Sequence, residues 1–353
     1  MRMALPRTAA VRESGDSLPL ETSQVKEFVS YDDRNFYFPA VSYTNADTNA
    51  SEVLDVIFKV HNGVESDNAE LIRAHNDVLT VLSESGIMVP EPLPVKEGRA
   101  EKIGWIHLKR LRDESQTRKH AVRLLRFIDG VVIDQQAEEK PEMLHDLGQF
   151  LGKMDKTLMQ LHTVPPVLKD RILLWDLQHV PALARFSECI PDAQNRALQQ
   201  KVLARFDAFV VPRLGGLRRS VIQNDANEQN VLLDACRARV TGIIDFGDCL
   251  YTCLVFELAI CIAYLMLGKT DPVATASHIY KGYVAQIPLT EVENAVLPCL
   301  VAARLVQSVT MSAFSHSKDP TNDYLLITAK TGWDALRLVT GMEEEVFLQR
   351  LKE

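Results

Sequence analysis

The sequence predicts an α+β fold in two lobes: a small lobe of mixed antiparallel strands, then a large, mainly helical lobe carrying one β hairpin. Three observations predict it. Between residues 28 and 130, short β-branched and aromatic runs alternate with polar turns around one helical stretch. From Pro141 onward, apolar residues recur three and four apart over long segments. The break in that helical texture is "SVIQNDANEQNVLLDACRARVTGIIDFGDCLY" at 220–251, where Asp225, Asn230, Asp245 and Asp248 bracket two short apolar runs.

In chain order, "FVSYDDRNFYFPAVSY" (28–43) reads as two strands around a turn, and "VLDVIFKVHN" (53–62) as a third strand. The segment 67–86 follows with Leu71, Ile72, Val78, Leu79 and Leu82 at helical spacing and Gly86 as the stop. "EKIGWIHLKRL" and "HAVRLLRFIDG" are two more strands, with the charged "RDESQTRK" as the loop between them. Helices are expected over 142–162 and 196–214, and everything beyond the 220–251 hairpin reads as helical. The expected division is a leader over 1–25, a first lobe over 26–130 and a helical lobe over 131–353.

Composition narrows the function classes. A chain of 353 residues with 46% hydrophobic and 24% charged residues is an ordinary globular one. Its formal net charge of -8 gives no basic footprint for nucleic acid, so no nucleic-acid partner is expected. The apolar run at 254–267 contains Glu257 and is short of the roughly 20 residues that span a bilayer, so it reads as a buried helix and no membrane partner is expected. The six cysteines show no CxxC pairing and read as free, mostly buried thiols of a reducing compartment. The leader has early arginines but no apolar signal core. A cytoplasmic location is expected, with a mitochondrial one as the alternative.

Buried unpaired, the acids and amide at 220–251 would be costly. Phosphoryl transfer gives them a use. It needs a carboxylate to orient the attacking hydroxyl and take its proton, and an amide oxygen plus a second carboxylate to hold magnesium. The protein-kinase template places the base Asp five residues before the metal-binding Asn and follows with D-F-G. Asp225 and Asn230 have that spacing, and Asp245-Phe246-Gly247 follows across a hairpin that brings Asn230 beside Asp245. Mg2+ suits this sparse ligation. The template also asks for a strand lysine, and Lys59 sits centrally in "VIFKV". The turn "SYDDRNF" (30–36) has no glycine, so backbone amides and the side chains of Ser30 and Asn35 would serve the phosphates.

With these residues in place, the chain resembles the aminoglycoside phosphotransferase/choline kinase superfamily and, within it, the hydroxylysine kinase group. The matching pieces run nearly end to end: "SYDDRNF", "FKV", "VRLLRFIDG", "LGKMDKTLMQLH", "LLWDLQHVP", "NDANEQNVL", "GIIDFGDCLY", "VFELAICIAYLM" and "DYLLITAKTGW". The resemblance implies a bilobal protein-kinase-like fold. It implies transfer of the γ-phosphate of GTP, with ATP as the alternative, to the 5-hydroxyl of 5-hydroxy-L-lysine in lysine degradation. It implies Asp225 as base, Asn230 and Asp245 as Mg2+ ligands, and Lys59, Ser30 and Asn35 at the phosphates. Leu125 to Phe127 would form the hinge at the nucleotide base.

Two departures from the family pattern stand out. The family's catalytic loop usually opens His-Gly-Asp; here Gln223-Asn224 precedes Asp225. Asn tolerates positive φ better than most residues, and Gln can still brace the loop. The first helix lacks the glutamate that normally pairs with the strand lysine, leaving Glu70 from a shifted register, Asp32 or Asp245 as partners for Lys59. These departures leave open a nucleotide-binding pseudokinase, and the acceptor alternatives are choline, homoserine or an aminoglycoside. An amino-acid acceptor would meet one basic group and two or more acids. Arg304 is the candidate for its carboxylate, Asp248 and Trp175-Asp176 for its amines, and Trp333 for a wall.

Overall fold

The computed structural model describes residues 25–28, 33–44, 51–95, 101–110, 113–133, 139–318 and 329–353. Ser30, Asp32 and all but the last residue of the expected leader lie outside them. The chain divides into two compact units, Met1–Ile128 and Asp129–Glu353.

The first unit is an antiparallel sheet with one long helix. Its strands are β1 (Lys26–Phe28), β2 (Arg34–Thr44), β3 (Ser51–Val60), β4 (Pro92–Leu93), β5 (Gly104–Arg110) and β6 (Asp113–Arg126), in the order β1-β2-β3-β6-β4 with β5 also on β6. Alternation along β3 sends Leu54, Val56 and Phe58 into one core with Phe38, Val122 and Leu124. The same register puts Asn35, Lys59 and Arg123 side by side across β2, β3 and β6. The charged segment 112–119, expected as a loop, is instead largely strand. Pairing with β5 continues through Lys109 and Thr117, because a hairpin satisfies the backbone while Lys119 lies outside over the Trp105 ring, 4.0 Å from its centroid.

Helix α1 (Gly63–Ser66) is a single turn, and α2 (Ala69–Glu84) buries Leu71, Ile72, Val78, Leu79 and Leu82. Asn68 caps α2 by accepting from the Leu71 amide at 3.1 Å. Gly86 ends it at φ 76, with its own amide on Ser83 O (3.0 Å) and the Ile87 amide on Leu82 O (3.0 Å), the paired bonds of a glycine-terminated helix.

The second unit is helical around three short pairs of strands. Strand β7 (Val131–Val132) and the hairpin β9 (Val231–Leu233) and β10 (Val240–Ile243) form one sheet; β8 (Arg219–Ile222) pairs with β11 (Leu250–Cys253). Strand β11 corrects the expectation of helix throughout beyond the hairpin. It forms because β8 otherwise has unpaired backbone at the entrance to the loop that follows it. The helices are α3 (Pro141–Leu158), α4 (Pro166–Lys169), α5 (Ala193–Phe209), α6 (Val255–Leu265), α7 (Pro272–Val284), α8 (Glu291–Lys318), α9 (Ala329–Thr340) and α10 (Glu344–Lys352), with a 3-10 stretch at Leu177–Cys189. Helices α3 and α7 cross at Gly148 and Gly282. A Cβ on Gly282 would stand 2.0 Å from His145 O, so only glycine permits this approach. Helix α6 is buried along nearly its whole length, as a sequence apolar but for Glu257 demands. Helix α8 is long and apolar enough to cross a membrane, but 78% of its apolar window is buried inside the unit, as in a core helix. Cys249, Cys253, Cys261 and Cys299 are buried, Cys236 is exposed, and none of them is in a disulfide.

Candidate active site

The loop from β8 to β9 carries the acids that the sequence singled out. Asn224 adopts φ 68, the left-handed conformation for which glycine or asparagine is chosen. Gln223 acts as the brace: its Nε2 donates to Ile244 O (3.2 Å) and Asp245 O (2.6 Å), and its Oε1 accepts from the Asp225 amide (2.7 Å). One side chain therefore ties the loop to the end of β10. The Ile244 amide donates to Asn230 O at 2.8 Å, so the hairpin does bring Asn230 beside Asp245.

Asn230 donates both amide hydrogens to Asp225, one to its backbone O (2.9 Å) and one to Oδ2 (2.8 Å), which leaves the amide oxygen on the opposite side. Asp245 sits at φ 58 and accepts the Gly247 amide at 3.1 Å. Arg304 of α8 reaches the same place. Its Nη2 donates to Asp225 Oδ1 at 3.1 Å, and Nη1 donates to Trp175 O and Gln307 Oε1, each at 3.0 Å. Its guanidinium lies over the rings of Trp175 and Tyr264, 4.9 and 5.1 Å from their centroids.

The electrostatics follow from this packing. Burial pushes the Asp225 carboxyl up to about 7; Arg304 opposes this, while the neighbouring Asp248 and Asp245 carboxylates add to it. Its side chain nevertheless keeps 27% exposure, against 1% for Arg304. The carboxylate is open to a ligand, and the arginine is not.

Beneath the loop lies an acid whose role was not read from the sequence. Glu257 on α6 is fully buried and accepts the Asn224 amide at 3.0 Å. Burial raises it to about 7 despite the amides of Asn224 and Gln223 and the charge of Arg304. Asp155 on α3, also fully buried, is raised further by burial and by Glu257, although it accepts the Tyr283 hydroxyl at 2.6 Å. The signal for Glu257 was present: an acid inside an apolar run needs a partner.

The first unit holds the remaining candidates. Lys59 Nζ lies 3.0 Å from Asp33 Oδ2, while Glu70 of α2 is exposed. Asn35 stands opposite Lys59 on β2. Leu125 is buried on β6, and Phe127 packs with Tyr37 and Phe28 at ring centroid distances of 4.7 and 6.5 Å.

Residues 40–285 match the model of the phosphotransferase enzyme family. The chain is 30% identical to the hydroxylysine kinase of Mus musculus over 94% of its length and 89% of that protein. It is 29% identical to the hydroxylysine kinase of Xenopus laevis, covering 97% of this chain and 91% of that one. This chain belongs to the phosphotransferase enzyme family.

Among solved structures, the phosphotransferase shares its fold with an amicoumacin kinase determined with AMP-PNP and Ca2+, at TM-score 0.66 and 16% identity over 93% of this chain and 92% of that one. The fold is the bilobal kinase-like one, and the protein is a small-molecule kinase acting on an alcohol group. Three acceptor candidates change role. Arg304, expected at an acceptor carboxylate, is spent on Asp225, Trp175 O and Gln307. Asp176 is fully buried and caps the 3-10 stretch, with Gln178 and Thr252 Oγ1 (2.9 Å) on its oxygens. Trp333 is a buried residue of α9, which packs on α8. Trp175 is half-buried under Arg304, and Asp248 is half-buried and close enough to act on both Asp225 and Arg304.

Proposed function

We propose that this phosphotransferase moves the γ-phosphate of GTP to the 5-hydroxyl of 5-hydroxy-L-lysine. The observation that carries the chemistry is the gathering of acids at Asp225. Asp248 and Asp245 act on its carboxyl beside the Arg304 guanidinium, and the Asn230 amide oxygen is turned away from Asp225. Such a set fits a divalent cation with few protein ligands. Asn230 and Asp245 are the residues that would hold it, and Mg2+ there supplies neutralisation of the phosphate oxygens.

Asp225 accepts the proton of the acceptor hydroxyl. The hydroxyl oxygen forms its bond to the γ-phosphorus, the bond from that phosphorus to the β-phosphate bridging oxygen breaks, and GDP leaves. Arg304 favours the ionised form of Asp225 and fixes the direction of Oδ1. Lys59 is the phosphate contact, Asn35 its neighbour, and Leu125 to Phe127 the meeting point with the base. Asp248 takes an amine of the acceptor. The acceptor and the donor are supported by the near full-length likeness to hydroxylysine kinases.

The test is a phosphoryl-transfer assay with Mg-GTP and Mg-ATP against 5-hydroxylysine isomers, choline, homoserine and an aminoglycoside. The expected result is phosphohydroxylysine with GTP preferred. Turnover of choline or an aminoglycoside alone would refute the acceptor assignment.

A further inference from the structure

Lys59 is 8% exposed, and an ammonium so placed needs a counter-charge. Its cross-strand neighbour on β6 is a second cation, Arg123, itself 2% exposed. In the family's usual arrangement the counter-charge comes from the first long helix. Here α2 buries Ile72, His75 and Asn76, and Asn76 Oδ1 accepts from Arg123 Nη1 at 3.1 Å. The helix brings polar groups to this region, and its Glu70 stays outside.

The acids arrive from two other elements. Asp33, the residue before β2, places Oδ2 3.0 Å from Lys59 Nζ. Its Oδ1 accepts from the Asn62 amide (2.8 Å) and Asn62 Nδ2 (3.1 Å), and Asn62 is also the cap of α1. His61 Nδ1 lies 3.6 Å from Asp33 Oδ2 and 2.7 Å from Glu65 Oε2. Arg123 Nε donates to His61 Nε2 at 2.9 Å, and a guanidinium only donates, so the ring proton is on Nδ1 and goes to Glu65. Burial alone would raise Asp33; Lys59, His61 and the Asn62 donors together hold its carboxyl below the usual range. Asp33, His61 and Glu65 bring ligand atoms within 4.8 Å of one another, as a cation site would. An ammonium already stands on Asp33 and the His61 Nδ1 proton lies on Glu65, so the ligand atoms of the triad are already engaged.

We propose that Asp33 is the positioning residue for Lys59, doing from the entrance of β2 what a helix glutamate does elsewhere in the family. This rests on the reading of Lys59 as the phosphate contact. It ties the lysine to the residue that precedes β2.

Steady-state kinetics of the full chain with Mg-GTP and hydroxylysine test this, alongside thermal melts and NMR of the Lys59 ammonium in 15N-lysine protein. Asp33→Asn should raise the nucleotide KM about tenfold or more, as expected for loss of a charged hydrogen bond. The acceptor KM should hold within about twofold. The Lys59 ammonium signal should shift or be lost. Asp33→Glu should lie between, at about threefold, and carries the test if Asp33→Asn does not fold. Glu70→Gln should match wild type. An unchanged nucleotide KM and an unmoved Lys59 signal in Asp33→Asn overturn the proposal while leaving Lys59 as phosphate contact, provided Lys59→Met is impaired. An unimpaired Lys59→Met overturns that underlying reading, and the proposal with it.

Discussion

Around Lys59 opposite charges meet directly: the ammonium lies 3.0 Å from Asp33, and His61 links Arg123 to Glu65. Around Asp225 acids gather on one carboxyl: Asp248 and Asp245 raise it, and Arg304 lowers it. The consequence is visible in the carboxyls, with Asp33 held below its ordinary value and Asp225 pushed up to about 7. Acids gathered on one carboxyl are costly, and the cation and phosphates of the proposed transfer would relieve that cost.

The largest effect expected on this contrast is that of Asp225→Asn. Turnover should fall by about a hundred- to ten-thousand-fold, the usual share of a general base, with nucleotide KM little changed. Stability should move the other way. A carboxyl raised in the folded state contributes stability that is full below its unfolded value and lost as pH rises through about 7, so the asparagine variant should melt higher than wild type at pH 8. Asp33 carries the opposite sign: its lowered carboxyl stabilises the fold above its unfolded value, so Asp33→Asn should melt lower at neutral pH. Melts of the two variants at pH 8 that shift in the same direction would break the comparison.

Next in size is Arg304→Met. The guanidinium lowers the Asp225 carboxyl, so its loss should move the acid limb of the kcat/KM–pH profile upward by about one unit or more. An unmoved limb would show that Asp225 is not the group titrating there.

A smaller effect is expected at Asp155 and Glu257, two buried acids in one low-dielectric space. Both are raised, so their contribution to stability is full below about pH 4 and lost as pH rises through about 7 for Glu257. Asp155→Asn keeps an acceptor for Tyr283 and removes one charge, so its melting advantage over wild type should grow from pH 5 to pH 8. A constant difference would contradict a shared burden between the two acids.

The smallest is Asn224→Gly. The side-chain amide is buried with neither polar atom hydrogen-bonded, and glycine accepts φ 68 freely. Removing that amide is worth about 1 kcal/mol, read as a melting rise of a few degrees with turnover kept.

By itself the sequence determined the parts whose partners are close along the chain. Asp225 and Asn230 sit five residues apart, the hairpin that joins Asn230 to Asp245 is announced by two apolar runs, and Gly86 closes α2 where the helical spacing stops. Local geometry fixes such features, so spacing predicts them. Only the tertiary structure decided which distant charges meet. Arg304 could have awaited an acceptor and instead braces Asp225 from 79 residues away. Asp176 became a cap for want of solvent, bonded to Thr252 across 76 residues. Lys59 found Asp33 in place of a helix acid. Burial makes each of these groups take a partner, and packing, which spacing does not encode, selects the one within reach.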